Sequence, residues 1–259
     1  MAAHRIFASC ENASAYESGA SVEVILDSDT LHHVTRVLRL RVGETVEVIL
    51  KDSWNAYEAT VQSVSKEGLR VHVQGVLPTA ELPAALDLFW GYAKGDKNDR
   101  IVRQATEIGC RRFTPVRFQR SEIKIDGAHM AKKIDRFTAI ATSAAAQAHR
   151  SIIPQISSMI SSDELAEVLA SYDACLIAWE QDNEKALSQV ADEVIAQGAR
   201  TIALVIGPEG GIAPSEIARL QQQGAQTAHM GRTILRVETA CSVACGIVAD
   251  RIRSADSDG

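Results

Sequence analysis

From residue 85 onward the sequence alternates between short apolar runs and helix-periodic segments. The runs at 85–92 (ALDLFWGY), 113–118 (FTPVRF), 173–180 (DACLIAWE), 200–207 (RTIALVIG) and 225–231 (AQTAHMG) read as strands. Helical stretches at 99–109, 128–149, 163–171, 184–198, 214–224 and 239–253 separate or follow them, several closed by glycine. Strands alternating with helices imply right-handed crossovers and a parallel sheet covered on both faces. In such sheets ligands bind beyond the carboxyl ends of the strands, so those ends are where a site is sought.

Residues 1–76 read differently. SVEVIL (21–26), TVEVIL (45–50), AYEATVQSV (56–64) and LRVHVQ (69–74) are short, rich in valine and isoleucine, and partly alternating. Val42-Gly43-Glu44 and Lys66-Glu67-Gly68 are turn signals between them. LHHVTRVLRL places Leu31, Val34, Val37 and Leu38 at helical spacing. A small β-barrel with one short helix fits. VLPTAELP holds two prolines and no periodicity, so the expected organisation is a barrel over 1–76, a linker over 77–84 and an α/β domain over 85–259. A chain of 259 residues is comfortable for two domains.

No apolar run approaches a membrane span, and the opening MAAHRIFASCENAS lacks the apolar centre of a signal peptide. Five scattered cysteines point to reduced thiols and a cytoplasmic protein. Cys241 and Cys245 lie one helical turn apart, but no further pair accompanies them, and no metal is expected. The net charge of −6 speaks against nucleic acid, yet residues 94–150 carry 13 basic and 6 acidic residues, while 151–259 carry 7 and 15. A local positive field recruits a polyanion even on an acidic molecule. A solvated charged helix face would have the same composition, and charge alone leaves both readings open.

Three strand ends carry unusual residues: Ala178-Trp179-Glu180, Gly207-Pro208-Glu209-Gly210-Gly211, and Met230-Gly231 running on to Ala240. Glycine permits positive φ and lets a ligand approach bare backbone; a tight connection without a ligand also uses glycine. Neither GxxxxGK[ST] nor a GxGxxG opening a βαβ unit is present. Glu209 would repel a phosphate, so the ligand expected at this turn is neutral or cationic.

IGPEGG (206–211), a following helix carrying Glu216, and MGRTILRVETA (230–240) resemble the RsmE family of RNA methyltransferases. Weaker matches occur in the family's order: HRIF (4–7), His32-His33-Val34 through Val37-Leu38-Arg39, Glu107-Ile108-Gly109 with Thr114-Pro115 and Arg120-Ser121, and Gln147, Arg150 and Pro154. The resemblance implies a C-terminal α/β domain of the SPOUT type with a deep trefoil knot, preceded by a PUA-like RNA-binding barrel. It implies S-adenosyl-L-methionine as cofactor and N3 of a uridine in 16S ribosomal RNA of the small subunit as target. It also implies a homodimer. Two departures stand out: Ala146 replaces a glutamate usual before the glutamine, and Ala213 replaces a serine that would cap the next helix.

On this reading the cofactor lies against Ala178, Trp179, Gly207, Pro208, Glu209, Gly210, Gly211, Met230, Gly231, Ile234, Leu235, Arg236, Glu238, Thr239 and Ala240. Uridine N3 must lose its proton before its lone pair attacks a methyl group. An arginine beside the uracil carbonyls would stabilise the developing charge; Arg236 is the first candidate and Arg120 the second. Glu209 and Glu238 are the nearest carboxylates for a base, although Glu238 also suits the first turn of the last helix. Arg5, His32, Arg36, Arg39, Arg103, Arg117, Arg120, Gln147 and Arg150 are the expected RNA contacts. The competing readings are a non-catalytic RNA-binding protein of the same fold and another nucleotide-binding α/β enzyme.

Overall fold

The structure, a computed structural model, describes residues 4–9, 15–50, 55–65, 68–122, 127–181 and 184–257. Cys10 and the Lys66-Glu67 turn signal lie outside the described residues. The chain forms two compact units, one of residues 1–81 with 146–152 and one of 82–145 with 153–259. The first unit therefore runs past the expected boundary at 76 and takes in a later return of the chain.

In the first unit, β1 (His4–Ala8), β2 (Ser21–Val24), β3 (Thr45–Leu50), β4 (Ala56–Val64) and β5 (Leu69–Leu77) form one sheet in the order β1-β3-β4-β5-β2. β1 is parallel to β3; the other pairs are antiparallel. A bridge from Ser9 N to Ile25 O at 3.0 Å joins the two outer strands and closes the barrel. Closure leaves no edge to aggregate. Val46, Val48 and Leu50 on β3 and Leu69, Val71 and Val73 on β5 are completely buried, the inward half of a period-two pattern.

The expected helix begins as α1 (Ser28–His32), capped by Asp27, whose carboxylate accepts the Thr30 N–H at 2.8 Å. It then widens into a π-helical turn, His33–Leu38, and stops at Arg39 with φ +52°. The widened turn moves the helical face: Val34 is buried, but Val37 is 61% exposed.

The second unit contains β6 (Ala85–Gly91), α2 (Lys97–Ile108), β7 (Arg112–Arg117), α3 (Gly127–Gln147), β8 (Gln155–Ile156), β9 (Ile160–Ser161) and α4 (Ser162–Leu169). β10 (Ala174–Ala178), α5 (Leu187–Ala196), β11 (Thr201–Ile206), α6 (Pro214–Gln222), β12 (Gln226–Ala228) and α7 (Val237–Ser257) complete it. The sheet order is β12-β10-β11-β6-β7-β8, with β9 also on β7, and every pairing is parallel. Alternate residues of one strand bury into opposite layers. Leu88, Trp90, Leu176 and Leu204 join α2, α5 and α7 in one core, while Phe89, Ile177 and Val205 join α4 and α6 in the other.

α7 packs on α2 and α5 and against β6 and β11, while β12 lies outside β10. The chain thus returns across the sheet after β12, the connection a knotted arrangement needs. The register levels the carboxyl ends: Ala228 pairs with Ala178, Ala178 with Ile206, Ile206 with Trp90, and Trp90 with Pro115. The loops that follow β12, β10, β11, β6 and β7 all leave from this row.

Candidate active site

The loop after β11 is a tight turn in which the Gly211 N–H donates to Pro208 O at 2.9 Å, with Gly211 at φ +71°. Its glycines are required by protein neighbours as much as by any ligand. A Cβ on Gly210 would sit 2.7 Å from Arg120 O, and one on Gly211 would sit 2.7 Å from Glu180 Oε1 and 3.9 Å from Arg120 Nη1. One on Gly207 would press on Ile212 at 2.9 Å. The turn therefore nests between the loops that follow β7 and β10. This adds a packing role to the exposed-backbone role expected from sequence.

Three polar ties hold the nest. Glu209 Oε1 accepts from Lys97 Nζ at 2.8 Å and from the Lys94 N–H at 3.4 Å. Partial burial pushes the Glu209 carboxyl up, but the Lys97 hydrogen bond and backbone donors outweigh it and leave the pKa below the ordinary value. Glu209 thus anchors the loop and is a weakened base. Buried Glu216 accepts from the Gln119 N–H at 2.9 Å and the Ala213 N–H at 3.1 Å. Arg120 Nη1 donates to Gly210 O at 3.5 Å. Underneath, buried Asn98 accepts from Trp90 Nε1 and from the Ala93 N–H, both at 3.0 Å, and donates to Ala93 O at 2.7 Å. It fixes the β6–α2 loop that carries Lys94 and Lys97.

The loops after β10 and β12 are stitched by backbone. The Trp179 N–H donates to Ala228 O at 3.0 Å, and the Leu187 N–H to His229 O at 2.9 Å. His229 Nδ1 accepts the Gly231 N–H at 3.1 Å, with Gly231 at φ +101°. Ala178, Met230 and Leu235 are half-buried and pack on the core below, as does buried Ala240. Trp179 Nε1 and Glu238 Oε2 are buried with no hydrogen-bond partner among the described residues. A half-buried apolar floor, exposed loop backbone, one orphaned donor and one orphaned acceptor suit a ligand with an aromatic heterocycle and a cationic centre. The chain's residues fit S-adenosylmethionine on these grounds.

Of the expected catalytic residues, Arg120 lies directly against the Gly210-Gly211 turn. Arg236 is exposed one residue before α7, and its carbonyl accepts the Ala240 N–H at 2.7 Å. Glu238 and Thr239 sit in the first turn of α7, and Ile234 is 89% exposed. His229 and Glu180 were absent from the expected site. Each closely follows a strand, beside a residue that was included, and that position was the available signal.

The expected RNA contacts divide. His32, Arg36, Arg39, Arg103, Arg117 and Gln147 are exposed. Arg5 and Arg150 are not free for phosphate, a correction with one physical cause in both cases. The Arg5 side chain is 5% exposed and ion-paired to Glu47 at 2.7 Å. The Arg150 side chain is 3% exposed and forks onto Glu81, which also accepts the Ser151 and Ile152 N–H groups at 2.8 and 3.0 Å. A guanidinium with little solvent access needs its carboxylate. Much of the positive segment is also locally paired, through Lys94–Glu122, Arg100–Asp96, Arg111–Asp87 and Arg136–Asp99.

Among the described residues, no cluster of three or more His, Cys, Asp or Glu can hold a metal, and no helix is long and apolar enough to cross a membrane.

Residues 80–249 match the family described as RNA methyltransferase domain, and residues 26–74 the one described as RNA methyltransferase PUA domain. The chain is 30% identical to ribosomal RNA small subunit methyltransferase E of Bacillus subtilis over 218 residues, 83% of this chain and 85% of that protein. It is 31% identical to the Mycobacterium bovis protein of the same name over 225 residues, 86% and 85% of the two chains. A putative methyltransferase from Legionella pneumophila, solved with bound cofactor SAM, superposes with a TM-score of 0.78 at 25% identity, covering 98% of both chains.

Proposed function

This chain belongs to the RsmE family of RNA methyltransferases, and from that premise we propose that it transfers a methyl group from S-adenosylmethionine to N3 of a uridine in small-subunit ribosomal RNA. The observation that carries the reading is the levelled row of carboxyl ends, where Trp179 after β10 and Glu238 in the segment after β12 each keep a buried polar atom without a partner among the described residues.

Bound at this edge, the sulfonium cofactor supplies an electrophilic methyl group, whose bonding pair leaves on sulfur. The chain's own residues do the rest. The Gly207–Gly211 turn and the Met230-Gly231 turn present backbone groups to the cofactor. Ala178, Met230 and Leu235 exclude water beneath it, which strengthens the polar contacts above. Exposed Arg36, Arg39, Arg103 and Arg117 hold phosphates, and the target base leaves its stack to reach the edge. Orientation of the two reactants supplies several kcal/mol of the barrier. Two further features belong to this proposal: a cytoplasmic setting, where the ribosomal substrate resides, and a homodimer in which a second copy covers exposed Ile234 and the 38%-exposed Val243 of α7.

Isothermal titration with S-adenosylmethionine, against NAD and ATP, tests the cofactor. Binding of S-adenosylmethionine alone supports the reading. Binding of NAD or ATP in its place returns the edge to a nucleotide-binding enzyme of another class.

A further inference from the structure

We propose that Glu180 and Arg120 together form the clamp for the target uracil, with Arg120 holding a carbonyl oxygen and Glu180 taking the N3 proton. This deepens the methyltransferase reading and rests on it.

One point in the structure is flanked by both groups. Where a Gly211 Cβ would stand, Glu180 Oε1 is 2.7 Å away and Arg120 Nη1 is 3.9 Å away. No ion pair joins the two side chains, both are exposed, and Glu180 is unpaired among the described residues. A carboxylate and a guanidinium around one glycine, with no ion pair between them, offer an acceptor near a donor. The imide edge of uracil offers an N–H next to a carbonyl oxygen, its complement. Cytosine has no proton at N3, so it offers Glu180 nothing to remove at that atom.

The other carboxylates fit the role less well. Glu209 is held by Lys97 and by the Lys94 N–H. Glu238 has an oxygen buried away from solvent in the first turn of α7. Glu180 follows Trp179 at the carboxyl end of β10, between the turns after β11 and β12, and faces water to which it can release a proton.

In the step, the uracil N3–H bond breaks and its electron pair stays on nitrogen. The proton forms an O–H bond with Glu180, and the negative charge spreads onto O2 and O4, where Arg120 offsets it. The N3 pair then forms the bond to the methyl carbon as the carbon–sulfur bond breaks and its pair leaves on sulfur. Glu180 afterwards loses its proton to solvent.

The test compares wild type, Glu180→Gln, Glu180→Asp and Arg120→Gln. Methyl incorporation into small ribosomal subunits is followed from neutral to alkaline pH, alongside titration of each protein with S-adenosylmethionine. General-base catalysis is worth roughly 10²–10⁴-fold, so Glu180→Gln falls by that factor at neutral pH. It recovers as hydroxide takes over removal of the N3 proton, while cofactor affinity stays within about 2-fold of wild type. Glu180→Asp keeps part of the rate. Arg120→Gln is slowed at every pH. A Glu180→Gln rate and pH profile equal to wild type overturns the proposal, and so does lost cofactor affinity with an unchanged pH slope. Failure of the wild-type protein itself to bind S-adenosylmethionine and methylate the subunit is the separate result that overturns the methyltransferase reading.

Discussion

Glu216 Oε1 accepts the Gln119 N–H at 2.9 Å across the gap between α6 and the loop after β7. Its other oxygen accepts the N–H of Ala213, the residue just before α6. One buried carboxylate, only 4% exposed, thus ties the loop after β7 to the downstream end of the Gly207–Gly211 turn.

Glu216→Ala leaves two backbone donors without their partner. At about 1–3 kcal/mol for each unsatisfied buried group, the expected loss is about 2–6 kcal/mol, read as a shifted urea midpoint. Ala213→Ser works in the opposite direction. Ala213 has extended φ and ψ and no side-chain acceptor, so only the Glu216 half of a capping box is present. A serine hydroxyl accepting the Glu216 N–H is expected to raise stability by about 0.5–1 kcal/mol in the same assay.

Gly211→Ala and Gly224→Ala separate strain from site geometry. Both glycines have positive φ, at +71° and +86°, but a Cβ at Gly224 meets nothing within 4 Å, whereas one at Gly211 strikes Glu180. Each substitution is expected to cost about 1 kcal/mol or more through the backbone. Only Gly211→Ala weakens S-adenosylmethionine, by about 10-fold or more, because a displaced loop forfeits about 1.4 kcal/mol of contacts. Calorimetric titration of the two variants checks this.

The fold was legible where a pattern extended over many residues. The apolar run of β11 stopping at Gly207, and the glycines closing α2 and α5, marked the α/β unit and its carboxyl edge. β8 and β9 hold two residues each, too few for any periodicity. The π-helical turn at 33–38 keeps an α-like spacing of apolar residues, so sequence cannot distinguish it from an α-helix. The charged residues were the least legible. Arg5 meets Glu47 across 42 residues and Arg150 meets Glu81 across 69, separations that no local reading spans. Glu180 was visible as a strand-end residue, but nothing in sequence placed it against Gly211 and Arg120.

Lys97→Met frees Glu209 and is expected to show its effect through acid stability. The Glu209 pKa lies below its ordinary value of 4.5 in the folded protein. Its contribution is therefore present above pH 4.5 and is lost as the pH falls through the lower folded value. The difference in melting temperature between wild type and Lys97→Met should shrink over that window. Both side chains are about a third exposed, at 29% and 33%, and solvent screening keeps the pair below about 1 kcal/mol.

Asp87 is completely buried on β6, bonded to Arg111 at 3.2 and 3.0 Å and to the Tyr172 hydroxyl at 2.7 Å. Asp87→Ala leaves the Tyr172 hydroxyl without its acceptor and the 41%-exposed Arg111 guanidinium without its carboxylate, and the expected loss is about 1–3 kcal/mol by urea unfolding. Burial first, and the Asp87 bond second, push the Tyr172 pKa well above its ordinary value of 10.0. Stability from that shift is complete below pH 10 and falls as pH rises beyond it. Absorbance titration of tyrosinate in wild type and Tyr172→Phe reads this directly.

The most direct measurement is methyl transfer itself. The protein is incubated with S-adenosylmethionine labelled on its methyl group and with small ribosomal subunits that lack the modification. The recovered 16S ribosomal RNA is then mapped by reverse transcription, which stops at a uridine methylated on N3. The account predicts label in that RNA and a single new stop at a uridine. Cofactor binding without label in the RNA, or label at a position other than uridine N3, contradicts it.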